Sequence, residues 1–267
     1  MKTIFNVMLA ASAVAFFICG CSQKSPDTFQ GYVEGEYVYI ASPLAGTLTN
    51  LAVARGDSVT NGQLLFELER GSEAAALAAA QKNLQQAKAS LEFAEATLQR
   101  RQELRTNNGV ISPEELDQAR AQRDADVAQV ESLQAALDKA KWSFDQKEQF
   151  APTNAFVQDT LYRQGEFEAA GNPVVQLLPP ANIKVRFFVP ETALAQIKIG
   201  QTVSVHFDGA AKPFSATVNF ISTQNEFTPP VLYNRENRAK LIYMIEAVFS
   251  PADATQLRPG QPVDVKL

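Results

Sequence analysis

Few side chains in this chain of 267 residues could do chemistry. It holds one histidine, His206, and two cysteines, Cys19 and Cys21. Both cysteines lie in the first segment, so beyond it there is no thiol nucleophile, no disulfide and no Cys/His metal cluster. Catalysis would fall to carboxylates and hydroxyls. Glu67 and Glu69 stand one strand period apart and could share a face, as acid–base work by paired carboxylates requires. Most such pairs are solvated surface residues, and no second motif supports this one. His206 alternates with Val203 and Val205 and reads as a surface or barrel-wall residue. No phosphate-binding loop is present. A formal net charge of -5 argues against a nucleic-acid partner held through phosphates. The residues point to a protein that is not an enzyme, with no catalytic, cofactor-binding or metal-binding set.

One side chain has a setting that suggests modification. Lys2 precedes an uncharged run from Thr3 to Gln23, apolar from Val7 to Ile18, the pattern of a secretory signal over residues 1–20. The run ends Ile18-Cys19-Gly20-Cys21-Ser22, which resembles a bacterial lipobox; by that resemblance, cleavage after Gly20 exposes Cys21 for acylation. Cys21 would then be the sole cysteine of the mature chain, followed by a polar tether, and acyl chains would hold it stably at a membrane. A plain secretory signal and an uncleaved anchor of about 20 residues are the alternatives.

The elements around these residues are legible from spacing. Pro43, Gly46, Gly56, Gly62 and Leu68 fall opposite Pro152, Ala155, Gly165, Gly171 and Leu177, all at an offset of 109 residues. Short alternating strands between glycine turns, written twice, predict two halves of one small β-domain at 41–70 and 150–180. Between them, Leu77, Leu84, Leu91 and Leu98 repeat every seven residues, with Ala80, Ala87 and Ala94 beside them. This is a coiled-coil seam. A second arm from Pro113 to about Gln149 carries Leu116, Val130, Leu137 and Phe144, with Ala119, Leu133 and Ala140. Arg123 and Asp126 interrupt its period, which predicts looser packing near the tip. Asn107-Asn108-Gly109 is a turn signal, and Ser112, Pro113 and Glu115 spell a capping box. The hairpin therefore spans 71–149. Residues 21–40 supply a tether and first strand. From 181 to 267 the pattern is β-rich, with five or six strands and one short helix, a small β-barrel. Gly200-Gln201-Thr202-Val203-Ser204-Val205 recurs in type as Gly260-Gln261-Pro262-Val263-Asp264-Val265. Asn225 to Lys240 reads as an exposed loop. The fold class is α+β, mainly β with a long α-helical coiled-coil hairpin.

Together these residues resemble the periplasmic adaptor family, also called membrane fusion or HlyD-type secretion proteins. The resemblance centres on a split lipoyl/biotinyl-like motif around Gly46, Gly56-Asp57, Gly62-Gln63 and Gly165, with the hairpin between its halves. It implies a homo-oligomeric funnel, a hexamer, that links an inner-membrane transporter to a TolC-like outer-membrane channel. Glu226-Phe227-Thr228-Pro229 and Arg238 to Tyr243 resemble the branch paired with ABC-type exporters; an RND- or MFS-type multidrug pump is the alternative. Family members that dock TolC-like channels carry an Arg, a Leu and a Ser around the hairpin tip, matched here by Arg100, Leu104 and Ser112. The Leu104-to-Ser112 interval is one residue longer than the common pattern, and an N-cap role explains Ser112 by itself. The family role places the protein in the periplasm of a Gram-negative bacterium, lipid-anchored to the inner membrane, although Ser22 is not the aspartate linked to retention there. Because the sequence stops at Leu267, a membrane-proximal fourth domain is expected to be reduced or absent. A carrier of a lipoyl or biotinyl group would need its lysine on a tight turn between the half-motifs; Lys82 and Lys88 instead fall within the helical pattern.

Overall fold

The architecture is given by a computed structural model, which describes residues 28–108, 111–210, 212–227 and 241–267. Cys19, Cys21, Gly109 and most of the Asn225–Lys240 loop lie outside the described residues. The chain divides into two compact units: Glu36–Asn182, and the segment ending at Gly35 joined to Ile183–Leu267.

In chain order the first strands are β1 (Thr28–Gly35), β2 (Val38–Ala41), β3 (Gly46–Leu51), β4 (Ser58–Val59) and β5 (Leu64–Leu68). Helices α1 (Gly71–Asn108) and α2 (Pro113–Asp145) follow, then β6 (Glu148–Phe150), β7 (Ala155–Thr160), β8 (Phe167–Glu168), β9 (Pro173–Leu178) and β10 (Ile183–Pro190). The remainder is α3 (Glu191–Leu194), β11 (Thr202–His206), β12 (Phe214–Phe227), β13 (Leu241–Phe249), α4 (Pro251–Ala254) and β14 (Pro262–Lys266).

Within Glu36–Asn182 two four-stranded sheets face each other, in the orders β2-β9-β7-β4 and β6-β5-β3-β8. Each sheet takes strands from both halves, so neither half is a domain by itself. The copies are related residue for residue. Leu48 N–H donates to Glu166 O at 2.8 Å, and its counterpart Val157 N–H donates to Asp57 O at 2.8 Å. Gly56 N–H donates to Val157 O at 2.9 Å, and Gly165 N–H to Leu48 O at 2.8 Å. Gly56 and Gly165 share a φ of +93°, where a side chain is strained. Between the sheets, Leu48, Leu65, Phe66, Leu68, Val157, Val174, Val175 and Leu177 form a core from which solvent is excluded. Each fully buried aliphatic or Phe side chain contributes about 1.5–3 kcal/mol.

The hairpin leaves this domain at Gly71. Its seam buries Leu84, Ala87, Ala94 and Leu98 of α1 against Leu116 and Ala119 of α2. The second arm ends earlier than its heptads suggest, at Asp145 rather than near Gln149. Glu148–Phe150 are recruited as an edge strand against β5, which an α-helix could not supply. The looser packing also differs in place from expectation. Leu98, Leu116 and Ala119 cluster close to the tip. The seam opens below them, where Arg123 and Asp126 stand half-buried in apolar positions of the repeat. There a groove of about 730 Å³ runs between the helices, lined by Phe93, Ala94, Arg101, Gln122 and Asp126 among others.

The other unit is a closed barrel in the order β1-β10-β13-β12-β11-β14. Its described residues form six strands and two short helices, α3 and α4, and β1 comes from ahead of the hairpin, in the stretch that the sequence assigns to the tether and first strand. A second internal duplication appears here, at an offset of 60 residues. Gly200 N–H donates to Val218 O, and Gly260 N–H to Val33 O, both at 2.8 Å; Val218 N–H to Gln201 O and Val33 N–H to Gln261 O are both 2.9 Å. Arg186 stands directly opposite its own counterpart Glu246 across β10 and β13, and Val205 opposite Val265 across β11 and β14. The pseudo-two-fold axis therefore passes through these two pairs. On the outer wall, Glu246 receives Lys184 Nζ at 2.8 Å and Arg186 Nη2 at 2.8 Å, while Arg186 also pairs with Glu34 at 2.8 Å. Burial opposes the charge on Glu246, but these two cations outweigh it and hold the carboxyl below its usual range.

Candidate functional site

Two places on the hairpin could carry function: its tip and its root. At the tip, Arg100 and Leu104 lie four residues apart on one face of α1. Both are exposed, Leu104 by 46 %. Among the described residues Arg100 Nη2 donates only to Thr97 Oγ1, at 3.2 Å, and pairs with no carboxylate. Ser112 is differently placed. It is the N-cap of α2: its Oγ accepts from Glu115 N–H at 3.1 Å, and Glu115 accepts from Ser112 N–H at 2.9 Å. The Ser112 N–H and hydroxyl hold the Glu115 carboxyl below its usual range. The structure thus groups Arg100 with Leu104 and gives Ser112 a task within its own helix. Sequence reasoning missed Arg101, whose Nη1 crosses to α2 and donates to Glu115 O at 2.8 Å.

The root is a polar cluster inside an apolar domain. Glu168 on β8 is fully buried, and Ser42 N–H donates to its Oε1 at 3.2 Å. Its Oε2 has no protein partner among the described residues. Burial pushes this carboxyl up to about 7, against the smaller pull of the Ser42 N–H and the Lys147 charge. Lys147, 4 % exposed, follows the last turn of α2. Its Nζ donates to Ala45 O at 2.8 Å and pairs with Glu73, in the first turn of α1, at 3.1 Å. The ammonium rests over Gly46, where an added Cβ would come within 3.1 Å of it. On the other flank Arg70 pairs with Glu67 at 3.0 Å and Glu148 at 2.6 Å, and stacks on Phe144 of α2 with its guanidinium carbon 4.8 Å from the ring centre. Glu67 is thereby a partner of Arg70, while Glu69 accepts from Gly71 N–H at 2.6 Å at the start of α1.

A signal for the root was present in the duplication. At the offset of 109 residues Glu168, Ser42 and Lys147 correspond to Val59, Ala151 and Val38. The polar member of each pair stands at the end of the domain that bears the hairpin.

The remaining candidates dissolve into structure. Lys82 and Lys88 sit exposed on α1, not on a turn between half-motifs. His206 is an exposed strand residue opposite Asp264. Among the described residues no group of three or more His, Cys, Asp or Glu is placed to hold a metal ion. Among them, too, no helix is long and apolar enough to cross a membrane.

A hairpin that interrupts a two-fold-repeated β-sandwich, with a six-stranded barrel beside it in sequence, is a distinctive combination. Residues 76–147 match the family model described as the RND membrane fusion protein α-helical hairpin domain. The hairpin is thus similar to that of membrane fusion, or periplasmic adaptor, proteins. An adaptor fold is shared over 90 % of this chain and 97 % of the membrane fusion protein Spr0693 from Streptococcus pneumoniae, with a TM-score of 0.65 and 20 % identity. MacA from Actinobacillus actinomycetemcomitans is similar over 90 % of this chain and 77 % of its own, with a TM-score of 0.54 and 18 % identity. In sequence, the chain is 29 % identical to a UPF0194 membrane protein of Citrobacter koseri, covering 98 % of this chain and 97 % of that one.

Proposed function

We propose that this adaptor joins an inner-membrane transporter to a TolC-like outer-membrane channel in an efflux or secretion assembly and performs no chemistry itself. The observation that carries the reading is the matched hairpin domain set into a split lipoyl-like domain, with an unpaired Arg100 and an exposed Leu104 near its tip. In this reading the Cys21 lipid tethers the chain to the inner membrane, the barrel meets the transporter, lipoyl-like domains of a hexamer pack side by side, and the tips reach the channel. The energy comes from the transporter. An ABC-type partner is favoured by the resemblance of Glu226–Pro229 and Arg238–Tyr243 to that branch. An RND-type partner is the second reading, favoured by the description of the hairpin family that residues 76–147 match.

Photo-cross-linking in intact cells tests this. One photoreactive residue replaces Leu104 and another replaces Thr223, an exposed position on β12. The expected result is capture of an outer-membrane channel at Leu104 and of a transporter at Thr223, whose class then decides between the two readings. Efficient labelling that captures neither would refute the bridging role. Leu104→Asp and Arg100→Glu should each lower export several-fold while leaving the melting temperature unchanged. Export unaffected by both would place the contact elsewhere. Ser112→Asp keeps an N-cap acceptor, so export lost in that variant would assign Ser112 to docking as well as capping.

A further inference from the structure

Three observations meet at the hairpin root. Glu168 is completely buried with one carboxyl oxygen unpartnered. Its counterpart in the other half of the domain is Val59, itself buried, so the fold does not need a carboxylate there. And the groups around it are the ones that fasten both helices. Ser42, whose N–H holds Glu168, also places its Oγ 3.0 Å from Gln146 O at the end of α2. Lys147 ties the residue after α2 to the first turn of α1 through Glu73.

We propose that the root is a proton-operated latch: it is shut while Glu168 is neutral, and ionisation of Glu168 loosens the attachment of α1 and α2 to the β-domain. A buried carboxylate lowers its free energy in two ways. It can open to water, or it can draw Lys147 away from Glu73. Either movement undoes the fastening. The charged groups around Glu168 are few. Lys147 approaches from the end of α2 and Glu73 from the first turn of α1; β3 contributes the uncharged Gly46, and β2 leads to Ser42. Arg70, Glu67 and Glu148 form their own cluster on the other flank, one cation between two carboxylates. Ionised Glu73 is stabilised by hydrogen bonds from Ser72 and Lys147 despite partial burial, so it keeps its charge where Glu168 titrates.

The carboxyl titrates at about 7 in the shut root, against an ordinary value of 4.5 once in water. By linkage the opening equilibrium then rises about tenfold from about pH 6 to about pH 8. Hydrogen exchange on the full chain, corrected for intrinsic rates, measures that equilibrium amide by amide. Amides of Gly71–Leu77 and Lys147–Phe150 should lose protection about tenfold over this interval, while those of Leu84–Leu98 in mid-hairpin stay constant. Glu168→Gln should abolish the change. Glu168→Val, which copies Val59, serves the same purpose should the Gln variant fold poorly. A flat wild-type profile overturns the proposal, as does a loss that extends equally to mid-hairpin or persists in both variants.

Discussion

A residue on a pseudo-two-fold axis meets its own counterpart, and this decides what can stand there. In the barrel that position holds Arg186 on one strand and Glu246 on the other. Two arginines or two glutamates would repel each other; one of each forms a pair that Lys184 and Glu34 extend. Glu246 is 8 % exposed, so removing its charge weakens the pairing of Lys184 and Arg186 on the barrel wall. Glu246→Gln should cost about 1–3 kcal/mol, read by thermal or urea unfolding at neutral pH. Because its folded pKa is depressed, the stability it supplies is present above its unfolded value of 4.5 and is lost as pH falls. The wild type and the Gln variant should therefore converge in acid. Little of this pair was legible in the sequence, since nothing short of the register shows that positions 60 apart face one another. Ser112 was legible, because a capping box is written in four consecutive residues. Glu168 was half legible: the offset of 109 sets it against a valine, but only burial turns that mismatch into a fact about energy.

At the scale of elements, local signals served well and long-range pairing served poorly. Both hairpin arms follow from heptads, glycine-free runs and caps. The premature end of α2 does not, because Glu148–Phe150 are claimed by β5, a partner some eighty residues away in the chain. That β1 belongs to the barrel was hidden for the same reason, its partners being β10 and β14. Ser112→Ala should destabilise the hairpin by about 1 kcal/mol, seen as faster amide exchange confined to the first turn of α2. The repeated turns allow a stricter test. Gly56 and Gly165 have the same φ of +93° and open space where a Cβ would go. Gly56→Ala and Gly165→Ala should therefore each cost about 1–2 kcal/mol, nearly equal to one another, in denaturant melts. A large inequality would mean that the two halves are alike in backbone only.

At the scale of the whole molecule, the carboxyls with shifted pKa values oppose one another. Glu73 and Glu246 have depressed pKa values and contribute stability that disappears as pH falls through the acid range. Glu168 has a raised one; its contribution is complete below 4.5 and is lost as pH rises through about 7. The melting temperature should accordingly peak on the acid side of neutrality. In Glu168→Val the decline towards pH 8 should vanish while the acid limb remains. The closed barrel carries one more consequence, which concerns the order in which the chain is made. Thr28 lies against Lys266, and Phe29 against Val265. A strand synthesised near the start thus waits for one synthesised at the very end, and β3 and β5 likewise wait for β8 and β6 beyond the hairpin. Closing such distant pairs is slow: the sheets of Glu36–Asn182 wait for β9, and the barrel waits for β14. The barrel is therefore the later of the two units to become able to close as the chain is made.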